Sequence, residues 1–173
     1  MRVIWAVVLV VVGLFPLGGC GQSEVDEAEA AVRSYCDGVI EAYRTSDPDA
    51  ARPVITDREW RKLVVLIDLK KANRVVLESA LEELEVAGVS RPSPSLMTVT
   101  ATERWRYYDR PLELGKPEGT EFVVEMDLEY DFVRTDGVWR MDQARTSRHD
   151  YLEPEGFRPQ RDDPLEETGG ESS

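Results

Sequence analysis

The chain of 173 residues is poor in the residue types on which many catalytic sites depend, with a single histidine, His149, and two cysteines. It contains no Ser-His-Asp set, HExxH helix, P-loop or Gly-rich dinucleotide motif, so no catalytic residue, resident metal or cofactor is predicted. Acidic residues outnumber basic ones, 34 to 21, which gives a net charge of −13. A protein of that charge offers no basic patch to phosphates, which excludes nucleic acid as a partner.

Long hydrophobic runs are also scarce, and the one at the N-terminus is short. Arg2 is followed by an apolar run over residues 3–15 that only Gly13 interrupts, and Pro16 and Gly18-Gly19 end it. A helix that spans a bilayer needs about 20 apolar residues. The run therefore matches the apolar region of a signal peptide rather than a membrane span.

The four residues Leu17-Gly18-Gly19-Cys20 resemble the lipobox of bacterial lipoproteins. The resemblance implies that a lipid is attached to the Cys20 sulfur, that the chain is cleaved before this residue, and that the new amino group is acylated. Residues 1–19 are then a lipoprotein signal peptide, and residues 20–22 are the lipidated N-terminus with a short linker.

This lipid anchor predicts a location at the cell membrane or outer membrane, outside the cytoplasm and in the periplasm if the host is Gram-negative. Several acyl chains, each worth about 0.8 kcal/mol per buried CH₂, hold a protein stably at a membrane. The alternative is an ordinary signal peptide, or an uncleaved anchor, with a chance cysteine.

A long amphipathic helix is predicted from Ser23 to Thr45, because apolar residues recur there at spacings of three and four. Cys36 lies on its apolar face. Since Cys20 carries the lipid in this interpretation, Cys36 has no intrachain disulfide partner. We interpret it as a small core residue rather than a reactive thiol.

Two further helices are predicted after it. Asp47-Pro48-Asp49 opens a short one, and Thr56 or Asp57 caps another over residues 58–79. The apolar stripe of this third helix changes side near Lys70-Lys71, which favours a kink or a short break there.

Beyond residue 79 the pattern changes to the alternation typical of strands. Strands are predicted near residues 84–89, where residues 81–85 could equally finish the helix, and over residues 96–108, 122–132 and 138–148. The elements together predict an α+β fold, in which N-terminal helices pack on a curved antiparallel sheet of three to four strands.

Asp136-Gly137 is a strong two-residue hairpin turn that sets the register of the last two strands. The predicted cross-strand pairs are Phe132 with Met141, Arg134 with Trp139, Glu125 with Arg148 and Asp131 with Asp142. The outward acids of the third strand are expected to meet Arg104 and Arg106. The domain spans residues 23–149, and residues 150–173 are an acidic tail, rich in Pro and Gly, that is predicted to be disordered.

This layout resembles the nuclear transport factor 2-like superfamily, a cystatin-like cone, and in particular the IMS-type domains of chloroplast division proteins and their cyanobacterial relatives. The resemblance is carried by ALEELEVAGVS, MTVTATERWRYYD and GTEFVVEMDLEYDFVRTDGVWRMDQART, within residues 23–148. It implies a cone whose open end holds a small ligand or a partner. Enzymes of the superfamily, such as ketosteroid isomerases and SnoaL-like cyclases, place acid–base groups inside the cone.

Glu103 is the one acid on the inward face of its predicted strand, and a possible pocket is predicted around it. The pocket residues are Glu103, Tyr107, Tyr43, Trp60 and Gln143, with Tyr35 also in range. A lone buried carboxyl group has a raised pKa and can serve as a base. The alternative is that the strand turns Glu103 toward water or that an arginine pairs with it.

The sequence therefore favours a non-catalytic, membrane-anchored lipoprotein of the cell envelope. It is expected to bind an unidentified protein partner or a small apolar ligand through its cone-shaped domain. One alternative is a small SnoaL-like or isomerase-type enzyme that uses Glu103 with Tyr107. Another is a structural component of an envelope assembly, which an exposed apolar patch on the sheet would favour.

Overall fold

A computed structural model describes residues 20–113 and 121–152. Two α-helices precede four strands, which pair antiparallel in chain order to form one curved sheet. The elements are α1 (Cys20–Thr45), a 3-10 turn (Pro48–Ala51), α2 (Asp57–Ala72), β1 (Val75–Ser93), β2 (Leu96–Pro111), β3 (Phe122–Thr135) and β4 (Val138–Leu152). The predicted signal peptide, residues 1–19, lies outside the described residues, and so does the predicted tail from residue 153 onward. Residues 150–152 of that predicted tail belong to β4, so the prediction of disorder is wrong for these three residues.

Helix α1 lies on the sheet through the apolar face that the sequence predicts. Its buried residues are Ala28, Ala31, Val32, Cys36, Val39 and Ala42. The helix begins at Cys20 rather than at Ser23, and its charged side chains form exposed pairs such as that between Arg33 and Glu29. Cys36 is a free, fully buried thiol, which confirms its interpretation as a core residue.

Helix α2 ends at Ala72, so its predicted extension to Ser79 is wrong. Asn73 closes the helix, and Arg74 adopts a left-handed conformation with a φ of 59°. That conformation turns the chain out of the helix, and the β-branched pair Val75-Val76 then begins β1. The first strand is therefore 19 residues long and starts well before residue 84.

The β3–β4 hairpin follows the predicted register close to its turn. Both residues of Asp136-Gly137 have positive φ angles, 53° and 81°, as a two-residue turn of this kind requires. Phe132 pairs with Met141, and Arg134 pairs with Trp139. These two predicted pairs are confirmed.

A bulge then shifts the register of β4, and the predicted pairing of Asp131 with Asp142 is wrong. Asp131 lies opposite Gln143, and Asp142 is the extra residue. The displaced carboxylate accepts a hydrogen bond from the hydroxyl of Thr56 at 2.8 Å. The bulge thus separates two like charges that a regular ladder would hold face to face.

A second bulge changes the pairing of Glu125, which lies opposite Asp150 rather than opposite Arg148. Arg148 is the cross-strand partner of Asp127 instead. Its guanidinium still reaches Glu125 diagonally, at 2.7 Å.

The core lies between the helices and the inner face of the sheet, and α1 joins the two ends of this core. At the hairpin end, Glu27 of α1 accepts hydrogen bonds from Trp139 at 2.7 Å and from Arg91 at 2.6 Å. At the opposite end, Tyr43 of α1 lies beside Tyr107, near the end of β2. We call this second end the mouth, because a pocket opens there.

Candidate ligand-binding site

Glu103 lies inside the cone, with only 1% of its surface exposed. The indole N–H of Trp105 donates to its Oε2 atom at 2.6 Å, and the hydroxyl of Tyr130 donates to its Oε1 atom at 2.7 Å. The Cys36 thiol also points at Oε1, at 3.9 Å. The expectation that Glu103 turns toward water is therefore wrong.

No cation neutralises this carboxyl group within residues 20–113 and 121–152, so the expected arginine partner is also absent there. Burial raises the pKa of Glu103, although the hydrogen bonds from Trp105, Tyr130 and Cys36 lower it in part. Burial and the neighbouring carboxyl group raise the pKa of the Cys36 thiol and of the Tyr130 phenol as well. The donors next to Glu103 consequently keep their protons at neutral pH.

An inner pocket of about 110 Å³ lies against Glu103. Its lining residues are Tyr35, Val39, Tyr43, Glu103, Trp105, Tyr107, Met126, Leu128, Tyr130 and Ala144. Three of the five predicted pocket residues, Glu103, Tyr43 and Tyr107, are thus brought together.

Trp60 and Gln143 do not line this pocket. The indole N–H of Trp60 donates to Asp49 at 3.0 Å, and the Arg52 guanidinium stacks on its ring at 3.9 Å. Gln143 lies opposite Asp131 because of the first bulge in β4. The same bulge places Ala144, rather than Gln143, on the inner face.

Two hydrogen-bond donors of the site, Trp105 and Tyr130, were not among the predicted pocket residues. The alternation of their strands places both side chains on the inner face, which is the available signal in the sequence. Tyr130 pairs with Val99, four residues before Glu103 on β2. Tyr130 and Glu103 are therefore not cross-strand neighbours. Their side chains are long enough for the Tyr130 hydroxyl to reach the Glu103 carboxyl group along the inner face.

A second pocket of about 290 Å³ forms the mouth. Its lining residues are Tyr43, Leu66, Lys70, Leu77, Tyr107, Phe122, Val124, Met126, His149 and Tyr151. Tyr43, Tyr107 and Met126 line both pockets, so these three side chains form the boundary between them.

A row of aromatic rings leads from the inner pocket to the mouth. Trp105 stacks on Tyr107 with ring centres 5.6 Å apart, Tyr107 stacks on Phe122 at 5.6 Å, and Phe122 contacts Tyr151 at 6.1 Å. The exposed His149 ring follows at 4.8 Å from Tyr151. The histidine therefore belongs to the rim of the mouth rather than to the surroundings of Glu103.

The outer face of the sheet carries a network of ion pairs. The acids of β3 pair chiefly with Arg145 and Arg148 of β4, at distances such as 2.7 Å from Arg148 to Asp127. Arg104 lies opposite Glu125 on β3, as expected, but its guanidinium pairs with Glu82 at 3.3 Å. Arg106 pairs with Glu82 and Glu121, so the expected ion pairs with the β3 acids are wrong. Within the described part of the chain, no three acidic, histidine or cysteine side chains are placed to hold a metal ion.

The fold is similar to solved structures, although no family model and no curated protein matches the chain. The intermembrane space region of the chloroplast protein ARC6 matches at 15% identity over 70% of this chain and 94% of that chain, with a TM-score of 0.62. This likeness shows a shared fold. The α+β cone expected from the IMS-type resemblance is confirmed.

Two further matches have TM-scores below 0.5. The dehydrochlorinase LinA-type3 from Novosphingobium barchaimii LL02 is 12% identical, over 80% of this chain and 99% of that chain, with a TM-score of 0.48. An NTF-2 like protein of unknown function from Shewanella oneidensis MR-1 is 14% identical, over 69% and 98% of the two chains, with a TM-score of 0.42. Neither α-helix in the described ranges combines the length and the apolar composition needed to cross a membrane.

Proposed function

We propose that this protein is a non-catalytic lipoprotein of the cell envelope that takes a small, largely apolar ligand into its cone through the mouth. The observation that carries the proposal is the pocket of about 290 Å³ that opens between α2 and the sheet and adjoins the inner pocket at Glu103. Ligand pockets of proteins are concave, mostly apolar and supplied with a few polar groups, and this site has that composition.

The mouth has the lining that an apolar ligand requires. Leu66, Leu77, Val124 and Met126 supply aliphatic surface, and the aromatic row supplies flat ring surface. Burying such surface stabilises a complex by about 25 cal/mol per Å² before the costs of association are subtracted. The Lys70 ammonium on the rim is bound to Asp109 at 2.7 Å, so it does not present a free charge to the ligand.

The proposed anchor and the mouth lie at opposite ends of α1. Cys20 is the first residue of the helix, Glu27 contacts the hairpin end, and Tyr43 lines the mouth. A lipid on Cys20 would hold the hairpin end toward the membrane and leave the mouth open to the aqueous compartment. The anchor and the ligand site are thus compatible in one molecule.

The surroundings of Glu103 support a binding role rather than catalysis. Both of its oxygens already accept hydrogen bonds from the protein, and its tyrosine partner is Tyr130, whereas the enzyme alternative paired it with Tyr107. General acid–base catalysis needs a group that can reach and release a substrate proton near neutral pH. The buried carboxyl group with its raised pKa is the one observation that favours the isomerase-type alternative.

A structural role in an envelope assembly has less support than ligand binding. The outer face of the sheet is covered by the ion pairs of Arg145 and Arg148 rather than by an apolar patch. Exposed large apolar side chains in the described ranges include Leu96 and Val138 at the hairpin tips, and Phe122 and Tyr151 at the mouth. Val65 and Leu69 on α2 and Leu112 after β2 are exposed as well, so the exposed apolar side chains are distributed over several elements rather than gathered on the outer face of the sheet.

The test is to identify the small molecules that are bound to the full-length protein when it is purified. The protein is purified from its native membrane, and small molecules that copurify are extracted and measured by mass spectrometry. We expect Met126→Trp, which fills the boundary between the pockets, to reduce the recovered ligand at least tenfold. Val138→Trp, at an exposed hairpin tip, is the matched control and should leave recovery unchanged.

Two outcomes would contradict the proposal. Equal recovery of every small molecule from wild type and from a folded Met126→Trp variant would show that the cone does not hold the ligand. Conversion of the recovered molecule by wild type, and not by Glu103→Gln, would support the enzyme alternative instead.

A further inference from the structure

We infer that the inner pocket binds the protonated amine of a ligand with an apolar body, with the ammonium group beside Glu103 and the body extending toward the mouth. This inference rests on the proposed function and specifies the chemical class of its ligand. It follows from a buried carboxyl group that has hydrogen-bond donors but no cationic partner within the described residues.

The donors around Glu103 favour its ionised form. An indole N–H can only donate, and Trp105 directs its N–H to Oε2 at 2.6 Å. Tyr130 directs its hydroxyl to the other oxygen at 2.7 Å. A carboxylate offers about four acceptor positions, so Trp105, Tyr130 and Cys36 leave at least one position open.

The charge of this carboxylate is not neutralised within the described part of the chain. Buried carboxylates usually have a cationic partner, because an isolated charge in a protein interior is costly. The nearby cations are engaged elsewhere, since Lys70 binds Asp109 and Lys62 binds Glu59. A cationic ligand group would supply the missing partner from outside.

The aromatic side chains that line the inner pocket also favour an ammonium group. Tyr35, Tyr43 and Tyr107 line the space together with Trp105 and Tyr130. Cations are attracted to the faces of such rings, most strongly where water is excluded. Burial raises the pKa of Tyr43 to about 12, so this phenol is neutral at pH 7. It therefore places no second negative charge beside the ammonium group.

Other ligand classes satisfy the site less well. A carboxylate or phosphate would bring a second negative charge to Glu103, which is unfavourable in a buried site. A neutral alcohol could donate one hydrogen bond but would leave the charge uncompensated. The order of affinity for ligands of one shape is therefore expected to be amine, then alcohol, then acid.

The experiment compares three probes of nearly the same shape with the purified full-length protein by titration calorimetry at pH 7. The probes are 2-phenylethylamine, 2-phenylethanol and phenylacetate. We expect the amine to bind at least tenfold more tightly than the alcohol, as a hydrogen bond to a charged group implies, and phenylacetate to bind most weakly. Glu103→Gln should reduce the amine-over-alcohol ratio to less than threefold.

The matched control is Glu59→Gln. Glu59 lines a neighbouring pocket next to Tyr35 and Tyr43, but it is already paired with Lys62. This variant should keep the amine preference of the wild type. Loss of the preference in Glu59→Gln and its retention in Glu103→Gln would overturn the assignment to Glu103.

The remaining outcomes separate the inference from the proposed function. If the alcohol binds as tightly as the amine, the amine inference is wrong while ligand binding stands. If none of the probes binds, the inference is wrong, and the copurification test decides the proposed function independently.

If Glu103→Gln does not fold, the wild-type protein is measured at pH 7 and pH 5 instead. The amine preference must shrink toward pH 5 in wild type, in His149→Gln and in Glu59→Gln alike, because burial raises the pKa of Glu103 and its charge is lost as the pH falls. The two variants remove the imidazole at the rim of the mouth and the carboxylate beside Tyr35 and Tyr43, and the raised pKa values of Cys36, Tyr43, Tyr107 and Tyr130 keep those four groups neutral. A preference that does not change with pH would overturn the inference.

Discussion

The hydrogen-bond partners of Glu103 come from three different elements of the fold. Its oxygens are held by Trp105 from the same strand and by Tyr130 from the next strand, and the Cys36 thiol approaches from α1. A half-satisfied buried acid destabilises a protein, whereas one with several donors can be retained. Because these donors offset the cost of burial only in part, the ionised residue costs stability in the empty protein, and a cationic ligand group would recover that stability on binding.

The stability of the empty protein should reflect this cost as a dependence on pH. Burial raises the folded-state pKa of Glu103 above its unfolded value near 4.5. The stability linked to its protonated form is complete below pH 4.5 and is lost as the pH rises through the folded-state pKa. Thermal melts between pH 4 and pH 8 should therefore show wild type losing stability relative to Glu103→Gln as the pH rises.

Glu85→Gln is the control for this measurement, because Glu85 is an exposed glutamate on β1. Its melting temperature should follow that of wild type across the whole pH range. A wild-type protein that gains stability over Glu103→Gln between pH 5 and pH 8 would show that the carboxylate is better stabilised than its burial implies.

Cys36 gives a second prediction at the scale of one residue. Its side chain is fully buried, and burial next to Glu103 raises the pKa of the thiol. Because the thiolate is the reactive species, Cys36 should resist iodoacetamide in the native protein and react fully in denaturant. Peptide mapping by mass spectrometry reads both states, and rapid native labelling at neutral pH would contradict the described packing.

At the scale of elements, a close approach between α1 and the segment after the 3-10 turn depends on Gly38. A Cβ atom at this position would lie 2.6 Å from Cγ2 of Val54. The neighbouring Ile55 forms a bridge to Met141 on β4, so this segment links the helix to the sheet. A glycine inside a helix is normally unfavourable, and here the close contact explains its presence.

Gly38→Ala should therefore destabilise the protein, although the same change in an open helix position adds about 1 kcal/mol of stability. Overpacking of this kind costs about 1–3 kcal/mol, which urea unfolding measures directly. Ser34→Ala, at an exposed position of α1, is the control and should not destabilise. Adding Val54→Ala to Gly38→Ala should recover part of the loss, and a fully additive double mutant would argue against the contact.

The elements themselves follow largely from local patterns, and the differences arise where local signals conflict. The apolar periodicity of α1 and the Asp136-Gly137 turn predict their structures correctly. The end of α2 is missed because Val75-Val76 continues a plausible helical stripe, and only the left-handed Arg74 breaks it. Bulges carry no comparable signal in a single sequence.

The same reasoning explains how much of the site could be predicted. Glu103, Tyr43 and Tyr107 are found because strand alternation and helix periodicity place them on inner faces. Gln143 is assigned to the wrong face because one extra residue in β4 reverses the alternation beyond it. Trp60 faces Asp49 and Arg52 instead, through contacts that depend on tertiary packing.

At the scale of the whole molecule, the protein has two unlike ends. The hairpin end holds Arg91, Arg134 and Trp139 around Glu27, with Leu96 and Val138 exposed at the tips. The mouth end holds the pockets. Helix α1 runs from the predicted lipid site at Cys20 to the mouth, so the predicted attachment site and the proposed ligand site are separated by the length of one helix.

The lipid anchor itself is tested by Cys20→Ser. We expect the variant to remain an unprocessed precursor that retains residues 1–19, because the attachment sulfur is missing. Intact-mass spectrometry of membrane fractions distinguishes it from wild type, which should lack those residues and carry acyl mass. Cys36→Ser is the control and should be processed as wild type is, whereas equal processing of Cys20→Ser and wild type would contradict the anchor.

The length of α1 has a consequence for where ligand exchange takes place. From Cys20 to Tyr43 the helix rises about 35 Å at 1.5 Å per residue, which exceeds the thickness of a lipid headgroup layer several times over. With its first residue tethered to lipid and α1 upright on the membrane, the protein would hold its opening well above the bilayer surface. The proposed ligand would then be exchanged with molecules in the aqueous compartment. It would not be taken directly from the leaflet that holds the lipid anchor.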